Sequence, residues 1–158
     1  MIVGAGPNLG LAIARRFGRE GFSVGLVSRN QEKLDGLAGE LEADGITAAG
    51  AAADIRDSDG LAAAKMLDAG HGTILFTTGG AAIKPHPLRA RVGVSFAGEV
   101  AYARMLHDEL ADSGIHVAHV AIGGRIAPDG DHPPDDVAEI IWRRHVDRDV
   151  FQTRLGID

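Results

Sequence analysis

The chain opens on a glycine-rich turn, MIVGAGPNLGLAIARRF, which stands between a short apolar strand and a helix. Leu9, Ile13 and Phe17 recur at every fourth residue, a pattern typical of a helix that packs one face against a sheet. A strand followed directly by such a helix is the building unit of a parallel sheet covered by helices. The opening therefore predicts an α/β fold.

The rest of the chain continues this alternation of strands and helices. Further strands are predicted at residues 22–27, 46–54, 72–78 and 115–122. Helices are predicted around Leu34, Leu37 and Leu41, from Ser58 to about Ala69, and over 91–113 and 134–146, with Asn30 and Ser58 as N-caps. The 158 residues suffice for one domain and not comfortably for two. We predict a single domain, residues 1–158, with a Rossmann-like parallel sheet flanked by helices.

The glycines of the opening turn stand at positions 4, 6 and 10. Glycines in such a turn let the backbone approach a pyrophosphate, and the following helix offers free N–H groups and a partial positive charge. The spacing is not the commonest dinucleotide pattern, Gly-x-Gly-x-x-Gly, so a plain strand–helix turn is the alternative. Because a strand precedes the turn and an amphipathic helix follows it, we predict a dinucleotide-binding turn.

The second predicted strand leads into Ser28, Arg29 and Asn30 rather than into an acidic residue. An Asp or Glu there would bind the adenosine ribose hydroxyls and select NAD, whereas a small residue followed by Arg accommodates a 2′-phosphate. The sequence therefore favours NADP(H) over NAD(H). The alternative is that Arg29 is a solvated arginine before a helix.

Composition and charge exclude several classes of protein. The formal charge of −6 argues against nucleic-acid binding, no run of 18 apolar residues exists for a membrane span, and the start at Met1 lacks the pattern of a secretion signal. Cysteine is absent, which fits a cytoplasmic location. His116 and His119 should point to opposite faces of a strand and so cannot easily share a metal ion. The acidic residues at 129–136 indicate a solvated loop. No metal site is therefore predicted.

Several segments together resemble the short-chain dehydrogenase/reductase family, in family order: VGAGPNLGLAIARRFGREGFSVGLVSRN, the pair Asp54-Ile55, GTILFTTGG, MLHDEL and GIHVAHVAIGG. The resemblance implies family glycines at positions 4, 8 and 10, of which position 8 is Asn here, and it places Asp54 and Ile55 beside the adenine ring. The candidate cofactor-binding residues are therefore Gly4, Gly6, Asn8, Leu9, Gly10, Ser28, Arg29, Asn30, Asp54 and Ile55.

The chain departs from the family in its chemistry. The family uses a Tyr-x-x-x-Lys pair on the long helix, in which the Lys lowers the pKa of the Tyr so that it can exchange a proton with the substrate oxygen. Aligning the helix by MLHDEL puts Val92 and Phe96 at those two positions, and Tyr102 is followed four residues on by Leu106. The family's serine falls on Thr77 or Thr78, and Thr78 is a weak candidate for a catalytic role, as are Lys84 and His86.

The chain also departs from the family in length. The stretch LAAAKMLDAGHGTILF runs straight on where the family has about two further strand–helix units, on the order of 60 residues. The central region of the sheet is therefore expected to be shortened. GTILFTT then either takes the missing strand's place beside the first strand or leaves a gap there.

These observations leave two main functions open. The first is an NADP(H)-dependent oxidoreductase of the short-chain type, weak or inactive in the usual carbonyl/alcohol reaction, with a small carbonyl compound as substrate. The second is a non-catalytic NADP(H)-binding module or pseudoenzyme. An interaction domain without a cofactor is a third reading. The long helix is apolar on more than one side, and its family equivalent packs against a partner subunit, so a homodimer or higher oligomer is predicted.

Overall fold

The computed structural model describes residues 1–52 and 66–157. In the described chain all pairings between named strands are parallel, and helices connect them. This confirms the predicted α/β, Rossmann-like fold class. The described residues group into two compact units, one from residues 1–52 and 126–142 and one from 66–125 and 143–157. The single domain over 1–158 stays a prediction.

The first unit contains a three-stranded sheet in the order β1–β2–β3. Its elements are β1 (Ile2–Val3), α1 (Leu9–Gly18), β2 (Val24–Ser28), α2 (Gln31–Ala43) and β3 (Ala48–Ala52). Leu34, Leu37 and Leu41 of α2 are buried in its core, as their spacing predicts. Helix α1 ends at Gly18, and Gly21 has a positive φ of 88°, which suits the predicted stop at this glycine.

Trp142 packs within this first unit. Its ring meets that of Phe17 edge-on at 5.0 Å between centroids, and the Arg16 guanidinium lies 4.5 Å from the indole centroid. Arg16 also forms an ion pair with Glu139. The single tryptophan thus joins the segment 126–142 to helix α1 through aromatic and cation–π contacts.

The second unit contains another three-stranded sheet, in the order β4–β5–β6. Its elements are β4 (Gly72–Gly79), α3 (Ala90–Leu110), β5 (Ile115–Ile122) and β6 (Gln152–Leu155). Helix α4 (Pro134–Asp147) is divided between the units, with residues 134–142 in the first and 143–147 in the second. Three short 3-10 helices, Gly80–Ala82, Pro87–Arg89 and Ala111–Ser113, flank α3. The sequence predicted neither β6 nor these short helices.

The central region is shortened, as expected, because only residues 53–71 separate β3 from β4. In the described chain β1 pairs with β2, and β4 pairs with β5 over its whole length. GTILFTT therefore forms hydrogen bonds to β5. The helix predicted to begin at Ser58 lies outside the described residues except for its last turn, since residues 66–69 are helical.

Candidate functional site

The opening turn is tied to the end of β2 by backbone hydrogen bonds. The N–H groups of Gly4 and Ala5 both donate to the carbonyl oxygen of Val27, at 2.8 and 3.2 Å. Gly4 has a φ of 73°, a left-handed conformation that favours glycine. A Cβ at Gly10 would lie 3.1 Å from the Cα of Ala5, so glycine allows the helix to start this close to the turn. The local geometry therefore explains both glycines.

Gly6 and Asn8 leave the N-terminus of α1 accessible. Apart from its chain neighbours, no atom of residues 1–52 and 66–157 lies within 4 Å of the position that a Cβ on Gly6 would take. Asn8 is the N-cap of α1, with a φ of −94°, but its side chain accepts no hydrogen bond from the helix. Its φ is negative, so this position does not need the left-handed freedom of glycine. The N–H of Leu11 donates to the carbonyl oxygen of Gly6 at 3.0 Å, so the backbone N–H groups of Leu9 and Gly10 keep the anion-binding capacity of a helix N-terminus.

The segment after β2 is ordered by its own side chains. The Oδ1 atom of Asn30 accepts a hydrogen bond from the backbone N–H of Lys33 at 3.0 Å, which confirms the predicted N-cap of α2. The hydroxyl oxygen of Ser28 accepts from the backbone N–H of Asn30 at 3.4 Å. Arg29 between them is exposed, and no described residue forms an ion pair with it. Its charge is therefore available to a ligand.

These two segments meet at one edge of the first sheet. The turn binds the carbonyl of Val27, which is two residues before Arg29, so Gly4 and Arg29 lie close together at the carboxyl ends of β1 and β2. Sequence reasoning missed Gln31, whose Oε1 accepts from the backbone N–H of Ala52 at 2.8 Å and fixes the end of β3 beside α2. Asp54 and Ile55, which follow β3, lie outside the described residues. Ligands of open α/β sheets bind at this edge.

In the second unit the structure separates Thr77 from Thr78. Thr77 is exposed, whereas Thr78 is buried near the carboxyl end of β4, with its hydroxyl 2.8 Å from Nε2 of His119. His119 is fully buried in β5, and its Nδ1 lies 3.2 Å from the Nε2 of Gln152. Burial lowers the pKa of His119, which favours the neutral imidazole. Sequence reasoning did not connect His119 with Thr78.

Val92 and Phe96, which the sequence alignment by MLHDEL places at the Tyr and Lys positions, carry no exchangeable side-chain proton. Val92 is about half exposed on α3, and the ring of Phe96 lies 2.9 Å from the position a Cβ on Gly79 would take. Both line an open groove of about 790 Å³ along residues 87–96. Tyr102 packs edge-on against Phe76 with ring centroids 6.1 Å apart.

The two other candidates, Lys84 and His86, lie in the loop after β4. Lys84 is exposed, and Nδ1 of His86 accepts a hydrogen bond from the backbone N–H of Leu88 at 3.2 Å. This contact caps the short helix Pro87–Arg89. His86 is thus a loop histidine that orders its own turn. Over residues 1–52 and 66–157, no group of three or more His, Asp or Glu side chains could hold a metal ion.

None of the helices in the described ranges combines the length and apolar character that a membrane span requires. A search of curated proteins found no match. The sequence model described as short chain dehydrogenase matches residues 1–65.

Solved structures of similar fold include several short-chain dehydrogenases. One from Rhodopseudomonas palustris is 25% identical with a TM-score of 0.83, and the match covers 99% of this chain and 96% of that one. One from Sphingobium yanoikuyae in complex with NADPH is 18% identical with a TM-score of 0.81, covering 97% and 85%. A metagenomic short-chain oxidoreductase in complex with NADP is 20% identical with a TM-score of 0.79, covering 99% and 96%.

The sequence match lies on the segment that forms the glycine turn and the end of β2, and the fold match extends along nearly the whole chain. Together they confirm the resemblance of this chain to the short-chain dehydrogenase/reductase family.

Proposed function

We propose that this chain binds NADP(H) at the opening turn and is a short-chain-type oxidoreductase that is weak or inactive in the usual carbonyl/alcohol reaction. The observation that carries the proposal is the turn itself. Gly4 and Gly10 hold it against β2 and α1, Gly6 has open space beside it, and Asn8 leaves the helix N-terminus uncapped. A pyrophosphate fits such a place because backbone N–H groups and the helix dipole both favour negative charge.

The preference for NADP(H) over NAD(H) rests on Arg29. Its guanidinium is exposed and has no carboxylate partner among the described residues, while Ser28 before it is small. A guanidinium binds a phosphate through charge-assisted, often paired hydrogen bonds. The structures of similar fold in complex with NADPH and NADP support this choice.

The expected weakness in catalysis follows from the side chains at the family's catalytic positions. A bound NADPH would supply hydride chemistry, and Thr78 is the candidate to orient a carbonyl oxygen by a hydrogen bond. Val92 and Phe96 hold no exchangeable proton, so water or a non-standard side chain would supply the proton to the product oxygen. The alternative function is a non-catalytic NADP(H)-binding module or pseudoenzyme. Tight NADPH binding without oxidation of NADPH by any of a panel of aldehydes and ketones would favour that alternative.

A methyl group at Gly6 tests the turn as a phosphate site. In the described part of the chain, the methyl group of Gly6→Ala meets no atom within 4 Å beyond its chain neighbours, so the melting temperature should stay unchanged. NADPH affinity should nevertheless fall about tenfold or more, ~1.4 kcal/mol, because the methyl group occupies the space the pyrophosphate needs. Fluorescence titration with NADPH measures the affinity. Gly36→Ala is the matched control, since Gly36 also has open space beside it but lies in α2. Equal affinity in the Gly6 variant and the control would contradict the site.

Removal of the Arg29 charge tests the cofactor preference. Arg29→Ala should weaken NADPH binding about tenfold or more, since a charge-assisted contact to the 2′-phosphate contributes about 1.5–3 kcal/mol. NADH, which lacks that phosphate, should bind the variant and the unaltered chain alike. Arg19→Ala, at an exposed arginine at the other end of α1, is the control. Calorimetric titration with each cofactor measures the two affinities. An equal loss of affinity for NADPH and NADH would overturn the role of Arg29.

We also propose that the chain forms a homodimer through helix α3. Val94 and Met105, three turns apart on one side of this helix, are 76% and 62% exposed. Light scattering should give twice the chain mass of 16.5 kDa. Val94→Glu combined with Met105→Glu should shift the protein to a monomer, because two charges on an apolar interface are costly to bury. A monomer for the unaltered chain at all concentrations would contradict the proposal.

A further inference from the structure

Four polar side chains form a continuous chain of hydrogen bonds across the second sheet. Nε and Nη2 of Arg154 both donate to Oε1 of Gln152, each at 3.3 Å. Nε2 of Gln152 lies 3.2 Å from Nδ1 of His119, and Nε2 of His119 lies 2.8 Å from the hydroxyl oxygen of Thr78. His119 and Gln152 are register partners in β5 and β6, so the sheet pairing itself brings these two side chains together.

Elementary donor and acceptor chemistry gives this chain of hydrogen bonds a single direction. A guanidinium can only donate, so the oxygen of the Gln152 amide faces Arg154 and its NH₂ group faces His119. An amide NH₂ can also only donate, so Nδ1 of His119 accepts and carries no proton. A neutral imidazole then has its proton on Nε2 and donates it to the oxygen of Thr78.

The surroundings of His119 keep its imidazole neutral. The side chain is fully buried, and the ring of Phe151 stacks against it with an interplanar angle of 26°. The Arg104 guanidinium lies 3.6 Å from the centroid of that same Phe151 ring. Burial lowers the pKa of His119 and so disfavours an imidazolium. The oxygen of Thr78 therefore accepts from His119, and the hydrogen of its hydroxyl is left to donate elsewhere.

We propose that Arg154, Gln152 and His119 are positioning residues that orient the hydroxyl of Thr78 as a hydrogen-bond donor for an oxygen acceptor near the carboxyl end of β4. That this acceptor is a carbonyl oxygen rests on the proposed function. The arrangement donates a hydrogen bond and transfers no proton, because the amide of Gln152 cannot replace a proton lost from His119. It thus orients an acceptor and does not substitute for the family's Tyr and Lys.

The tautomer of His119 tests the proposal directly. Long-range ¹H–¹⁵N NMR of the full chain without cofactor, at pH 7.5, should show the proton of His119 on Nε2 alone. Thr78→Val should leave it there, because Gln152 and not Thr78 sets the tautomer. Gln152→Glu replaces a donor with an acceptor of nearly the same shape, and should place a proton on Nδ1. A residue with only a packing role would not move the proton in this way.

A proton on Nδ1 in the unaltered chain, or an unchanged tautomer in Gln152→Glu, would overturn the proposal. If circular dichroism shows that Gln152→Glu does not fold, Arg154→Met serves in its place. Arg154→Met removes the donor that faces the Gln152 oxygen, so the amide can rotate by 180° and present its oxygen to His119. A second tautomer of His119, with its proton on Nδ1, should then appear. The absence of this tautomer would overturn the role of Arg154. NADPH binding is measured separately, so a failure of the proposed function leaves the tautomer result unaffected, and the reverse also holds.

Discussion

The candidate site depends on two backbone hydrogen bonds, from Gly4 and Ala5 to the carbonyl of Val27. They hold the opening turn against the end of β2 and so determine where helix α1 begins. Gly10 then lets α1 start in contact with Ala5, and the segment after Val27 carries Arg29 to the same edge of the sheet. The position of the helix N-terminus and the positive charge of Arg29 at this edge both follow from the contact of the opening turn with Val27.

Much of the fold could be predicted from the sequence because it is encoded in local patterns. The spacing of Leu34, Leu37 and Leu41 and the cap at Asn30 determine helix α2 within a few neighbouring residues. Strand β6 could not be predicted, because Gln152–Leu155 is short and partly polar and becomes a strand only by pairing with β5. Tertiary pairing of this kind is not visible in a local pattern.

The same distinction holds for the candidate site. The glycine turn is one contiguous segment, and Ser28, Arg29 and Asn30 form another. Each follows a strand, so their proximity could be predicted once the two strands were taken as parallel neighbours. The contact of Thr78 with His119 joins residues far apart in sequence, and depends on the register of β4 with β5. The departures proposed at Val92 and Phe96 rest on the sequence alignment alone, because a side chain without an exchangeable proton cannot replace Tyr or Lys.

Titration of the unaltered chain with NADPH and, separately, with NADH tests the central claim most directly. A ligand that binds only the folded state stabilises it, by about 2.7 kcal/mol at a concentration of about 100 Kd. We expect saturable binding of NADPH with a rise in melting temperature, and weaker binding of NADH. If neither cofactor binds nor shifts the melting temperature, the opening turn is not a dinucleotide site and the proposed function is wrong.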